Sequence, residues 1–119
     1  MQFKFPKNDE KYSWTNHVGR KMMFYGLSAD RIKRVLRNPK RSEKGIAPDT
    51  IGVMQPVRLT SFAQGKPAWK EEIWVMYANR GKNKVIITAW RYPGVSPIRE
   101  AIPIPADILE ELKKEGILK

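Results

Sequence analysis

Cysteine is absent from these 119 residues, and histidine occurs once, as His17. Without thiols there is no disulfide, no thiolate metal centre and no cysteine nucleophile. A single imidazole cannot build a histidine-rich metal cluster, so neither a metal nor a cofactor is expected. Long apolar runs are missing too. None approaches the ~20 residues that span a bilayer. The opening Met1-Gln-Phe-Lys-Phe-Pro6 lacks the apolar stretch and small-residue cleavage site of a secretory signal. The expectation is a cytoplasmic protein with no membrane partner. Catalytic signatures are equally scarce: there is no P-loop, GxGxxG, HExxH or GxSxG. The acids are scattered, without the close pairs of a two-metal nuclease.

Positive charge is abundant. Lys and Arg number 23 against 12 Asp and Glu, a formal net charge of +11. Such an excess favours polyanions, because each phosphate contact releases condensed counterions. The charge is concentrated. Between His17 and Lys44 nine basic residues face only Asp30 and Glu43. With 41% hydrophobic and 29% charged residues the chain is globular in composition. Its length suits one domain over 1–119, which buries roughly two-thirds of its unfolded surface.

Hydrophobic periodicity predicts an α+β order: two helices, then an antiparallel sheet of three to four strands, then a short helix, in two layers. Residues 1–14 read as an extended arm, with Phe3 and Phe5 able to pair as a strand. Thr15 or Asn16 caps a helix to about Tyr25, where Gly26 ends it. Its Val18, Met22 and Tyr25 form one apolar stripe. Ser28 caps the next helix, with Asp30 in its first turn and Leu27 and Ile32 as a hydrophobic staple. Asn38-Pro39 stops it.

Lys40 to Asp49 reads as a polar loop. Thr50–Gln55 and Val57–Phe62 read as strand, interrupted by Pro56, and Ala63–Trp69 reads as a turn. From Glu71 to Ala78 the chain alternates, with Ile73, Val75 and Tyr77 on one face and Trp74, Met76 and Ala78 on the other. Lys84–Tyr92 is apolar on both faces, as a central strand would be. Residues 95–119 are a proline-rich tail with a helix from Asp107 to Leu118.

Several residues are suited to chemistry. His17 shares a helix with Arg20 and Lys21, whose charge favours a neutral imidazole. Such a ring can take a ribose 2′-hydroxyl proton; the plainer expectation is a packing or capping histidine. Arg91 offers bidentate bonds to a phosphate or to the charge of a phosphorane. Its plainer role is a sheet-edge salt bridge, with Glu100 as the candidate partner. The run ending Trp90-Arg91-Tyr92, then Pro-Gly, sets a cation and two rings at a sheet rim. Trp90, Tyr92 and Tyr77 could stack on bases or donate a hydroxyl. Trp74 and Trp90 are expected to divide between core and surface. Arg31, Lys33, Arg34, Arg37, Lys40 and Arg41 spread around a capped helix and into its loop, which suits backbone tracking more than base reading. The alternative is a solvated helix face. The Tyr25-Gly-Leu-Ser28 link also permits a helix-turn-helix, but strands follow where a third helix is usual.

The histidine-bearing helix, the "RNPKR" of Arg37–Arg41, the "EEIWVMYANRGKNKVIITAWR" of Glu71–Arg91 and the Arg99-Glu100 pair together resemble toxins of the BrnT type and DUF4258 proteins, within the RelE-like ribonuclease superfamily. The resemblance covers roughly Asn16 to Glu100. Ile87-Thr-Ala-Trp-Arg91 resembles the family's strand end with Trp90 inserted, and Arg99-Glu100 reverses its Glu-Arg order.

The resemblance implies a RelE/BrnT-like fold and metal-independent RNA cleavage by 2′-hydroxyl attack, leaving a cyclic phosphate. It implies His17 as general base or acid, Arg91 as phosphorane stabiliser, and Tyr77 or Tyr92 as the second proton-transfer group. Arg20, Lys21, Arg31, Arg34, Arg37, Lys40, Arg41 and Trp90 would bind RNA, ribosome-associated RNA included. A cognate antitoxin would cover the basic face. Two further readings stand beside it. One is a non-catalytic RNA- or DNA-binding module of the same fold. The other is a partner-binding protein whose charge serves solubility.

Overall fold

A computed structural model describes residues 3–63, 66–98 and 101–117. The order is β1 (Tyr12–Trp14), α1 (Asn16–Tyr25), α2 (Ala29–Arg37), β2 (Arg41–Lys44), β3 (Thr50–Ala63), β4 (Lys66–Arg80), β5 (Asn83–Pro93) and α3 (Ala106–Lys114). The fold is α+β. Its sheet has five strands in the order β1-β5-β4-β3-β2, one more than the largest number the sequence suggests, and it is mixed. β1 runs parallel to β5, pairing Tyr12 with Lys84 and Trp14 with Ile86, while the other pairs are antiparallel.

The two edge strands of the sheet, β1 and β2, are short and lack the usual sequence signal. β1 is set by turn chemistry. Asp9 Oδ1 accepts the Lys11 and Tyr12 amides, and Asn8 Oδ1 accepts that of Trp14, so Trp14 is turned inward. The strand in the arm is therefore Tyr12–Trp14, not Phe3–Phe5. β2 is Arg-Ser-Glu-Lys, inside the stretch read as a loop. It has no apolar alternation, and its charges suit a protected sheet edge. β3 continues through Pro56. Its pairing with β2 ends at Met54, so the proline lies where β3 is an edge. The expected turn at Ala63–Trp69 is shorter: β3 ends at Ala63 and β4 begins at Lys66, with residues 64 and 65 outside the described set.

The helices follow their local signals. Thr15 Oγ1 accepts the Val18 amide, and Gly26 closes α1 in the left-handed region at φ 67°. Ser28 Oγ accepts the Arg31 amide at the start of α2. α3 spans Ala106–Lys114, shorter than the sequence suggests at its C-terminal end.

The sheet is covered on both faces, so the domain has three layers rather than two. Val18, Met22, Ile32 and Val35 of the N-terminal helices, and Leu27 of the link between them, join Val53, Ile73, Val75, Tyr77, Ile86 and Ala89 in a first core. On the opposite face Met54, Trp74, Met76, Ile87 and Trp90 pack against Ile102, Ile108 and Leu112 of the tail. The alternation of β4 divides its side chains between the two cores.

α1 has a further task. β1 leaves β5 after Ile86, and α1 lies along the strand beyond it. Thr15 N and Oγ1 donate to the Ile86 and Ile87 carbonyls, and Arg91 Nε donates to the Tyr25 carbonyl. Ten helical residues rise about 15 Å, matching roughly four strand steps. A helix thus shields the β5 edge that β1 leaves open. Gly19 permits the arm to close over this helix: a Cβ there would run into the Phe5 ring.

Candidate nucleic-acid interface

His17 is 1% exposed. Nδ1 lies 2.9 Å from Glu115 Oε2, and Nε2 lies 2.9 Å from Thr88 Oγ1. A carboxylate only accepts, so Nδ1 donates. Nε2 then accepts the Thr88 hydroxyl proton in the neutral ring, or donates to Thr88 when the ring is protonated. In both states the two nitrogens are engaged, and neither faces solvent. These two bonds tie α1 to β5 and to the chain just after α3.

Glu115 completes this clasp, taking a 2.6 Å bond from Arg20 as well. Lys21, itself buried, forms an ion pair with Glu111. Partial burial pushes the Glu115 carboxyl upward. Hydrogen bonds from Arg20 and His17, and their positive charge, outweigh this and hold it below its usual range. A carboxyl lowered in the folded state stabilises the protein above its ordinary pKa, and that contribution is lost as pH falls through the lowered value. Thermal melts from about pH 6 to about pH 3 should therefore show a modest acid destabilisation, reduced in Glu115→Gln. An identical acid slope in the variant would remove the clasp from the account.

Arg91 stands elsewhere. It pairs with Ile73 on the first-core face, whereas Thr88, paired with Met76, is on the second. His17 and Arg91 therefore approach β5 from opposite faces and do not frame one cleft. The Arg91 guanidinium donates through Nε to Tyr25 O (2.8 Å) and through Nη1 to Glu71 Oε1 (2.8 Å). The salt bridge expected at the sheet edge thus has Glu71 as its partner; Arg99 and Glu100 lie outside the described residues.

The remaining candidates are dispersed. Tyr77 is buried in the first core, roughly 13 Å along β4 from Ile73. Burial raises its hydroxyl pKa, and Lys84 lies over its ring. Tyr92 pairs with Glu72 and packs against the second core. Trp90 is wholly buried and stacks on Trp74, centroids 6.0 Å apart and planes within 4°. The expectation that these tryptophans divide between core and surface is corrected: the tail covers both. Arg41, Met54, Trp74 and Trp90 form one row across four strands. The Arg41 guanidinium lies 5.1 Å from the Trp74 ring centroid and donates to Ser96 Oγ. Trp90 is thus part of the second core, and Arg41 lies against it.

What gathers at the surface is a group of arginines where α2 crosses the sheet. Arg31 Nη1 donates to Gln55 Oε1. Gln55 Nε2 donates to the Arg34 and Asn38 carbonyls at the end of α2. Gln55, Ile73 and Arg91 are register partners across β3, β4 and β5, so one sheet row brings Arg31 and Arg91 to the same end of the molecule. Burial, then the charges of Arg34 and Arg91, lowers the pKa of Arg31. The guanidinium remains charged. Arg34, Arg37 and Lys40 are exposed beside it.

Sequence reasoning missed Gln55, Glu71 and the Tyr25 carbonyl. The alternation gave the faces of β4, but no local signal gave the β3 register that sets Gln55 opposite Ile73. Among the described residues no three His, Cys, Asp or Glu side chains gather as metal ligands, and no helix is long and apolar enough to cross a membrane. No family model, no curated protein and no solved structure matches the chain.

Proposed function

We propose that this protein is a nucleic-acid-binding module that works without catalysis. The observation that carries the reading is the convergence of Arg31, Arg34 and Arg91 at one end of the sheet, with Glu71 the one carboxylate bonded to the group among the described residues. Guanidiniums so held suit phosphate oxygens. Arg37 and Lys40 extend the surface along a backbone. The ribonuclease implied by the BrnT-like resemblance has less support, because its proposed base, His17, is enclosed by Glu115 and Thr88.

The test is fluorescence anisotropy with labelled nucleic acid of mixed sequence, with product analysis in EDTA. With about four phosphates neutralised, affinity should fall roughly a hundredfold between about 50 and 200 mM salt, and the RNA should remain intact. His17→Gln should bind as the parent does while unfolding at lower temperature. Salt-insensitive binding, or none, overturns the reading. RNA cleavage that disappears in His17→Gln would restore the catalytic one.

A further inference from the structure

Two consecutive apolar residues near the end of α1 are left outside both cores: Met23 is 61% exposed and Phe24 73%. Phe24 is nonetheless held. Its ring meets that of Tyr25 edge-on, with centroids 4.8 Å apart and planes at 82°. The Lys21 ammonium stands 5.5 Å from its centroid. Lys21 is buried and anchored by Glu111, and Tyr25 packs against both cores. An exposed ring with fixed neighbours is preorganised for a flat ligand.

Its position ties it to the cations. Phe24 precedes Tyr25, whose carbonyl accepts Arg91 Nε at 2.8 Å. Ring and guanidinium thus share the last turn of α1, and the charge of Arg91 reaches Arg31. Burial, then the charges of Asp107 and Glu111, raises the pKa of the Tyr25 hydroxyl, which marks where the acids of α3 lie. Those carboxylates disfavour a phosphate beside Tyr25 and leave a neutral base unopposed.

We propose that Phe24 stacks on an unpaired base of a single-stranded nucleic acid whose phosphates the arginines hold; the inference rests on the nucleic-acid-binding reading above. Bases in a duplex are paired and stacked on one another, whereas single strands offer their faces to aromatic rings. The other occupant of such a patch, an apolar protein surface, needs more area. A stable interface covers about 800 Å² on each partner. The exposed parts of Phe24, Met23 and Phe5, which lies over Gly19 one turn back, come to roughly half of that.

The experiment titrates the full chain into labelled single-stranded DNA, single-stranded RNA of the same sequence, and the DNA duplex. Phe24→Ala should weaken single-strand binding about tenfold, the usual worth of one base on a ring, and change duplex binding by less than about twofold. Its salt slope should equal the parent's, because no cation is removed. Phe24→Leu should lose as much as alanine, and Phe24→Trp should keep the parent's affinity. All three variants should melt as the parent does, since this side chain lies outside both cores. Arg34→Ala should weaken all three ligands and lower each slope by about one. A loss on both single strands upholds the proposal, and so does a loss on one alone, which names the sugar that is read. Parent affinity in the alanine or leucine variant, a tryptophan variant no better than alanine, or an equal loss on the duplex overturns the stacking role. So does a dimer, seen by sedimentation, that Phe24→Ala dissolves while leaving oligonucleotide binding unchanged. If Arg34→Ala still weakens binding in those cases, the general reading survives. Failure of the parent chain to bind any of the three ends both.

Discussion

Glu72→Ala is expected to cost about 3–5 kcal/mol of folding stability, read as a fall in the urea midpoint at unchanged slope. The carboxylate is fully buried and accepts three hydrogen bonds. Oε1 takes the Trp74 indole N–H (2.9 Å), while Oε2 takes that of Trp69 (2.9 Å) and the Ser96 amide (3.0 Å). Alanine leaves all three donors without their acceptor. A buried donor left unpaired costs about 1–3 kcal/mol. The damage spreads because Ser96 also holds Arg41, which lies over Trp74. Glu72→Gln should cost about half as much: it keeps the shape but turns one acceptor into a donor facing an N–H. The neighbouring acid is the control. Glu71 is on the opposite face, partly exposed, and Glu71→Gln should change stability by about 0.5 kcal/mol or less. A Glu72→Ala midpoint close to the parent's would show that these bonds contribute little.

The same residue shows where sequence reasoning stops. "EEIWVMYA" reads as a strand with two acids at its start, and nothing local says that one is the hub of a core while its neighbour faces an arginine. The parity that separates Trp74 from Ile73 also separates Glu72 from Glu71. It becomes informative only once both faces of the sheet are known to be covered. The tail concealed that, because three prolines between Val95 and Pro105 read as irregular chain. In the fold, the tail carries Ile102, Ile108 and Leu112 onto Trp74 and Trp90.

The helices were legible because Thr15, Gly26 and Ser28 act on neighbours within a few residues. His17 was not, because its partners Thr88 and Glu115 lie 71 and 98 residues away. β2 is defined by the strand beside it and carries no pattern of its own. The arginine cluster was half legible. α2 reads as a basic helix and Arg91 as a single cation at a sheet rim, and only the register Gln55–Ile73–Arg91 joins them.

Glu71 is the point where that cluster makes an unusual forecast: removing its charge should strengthen binding. Glu71 takes Arg91 Nη1 at 2.8 Å and so places a negative charge where a phosphate oxygen would approach. Both side chains are about one-third exposed, so the pair is screened and weak. Glu71→Gln should tighten nucleic-acid binding about threefold at low salt, and the gain should fade as salt rises. Arg91→Ala should do the reverse with greater force, weakening binding about thirtyfold, because it removes a cation and leaves Glu71 unpaired beside the ligand. The double variant Arg91→Ala/Glu71→Gln should recover part of that loss, the recovery measuring the unpaired carboxylate. Arg91→Lys should not restore the parent, since an ammonium lacks the planar fork that reaches Tyr25 O and Glu71 together. If Glu71→Gln weakens binding instead, the carboxylate serves to position Arg91 rather than compete with the ligand, and the anion seat lies elsewhere on the basic face.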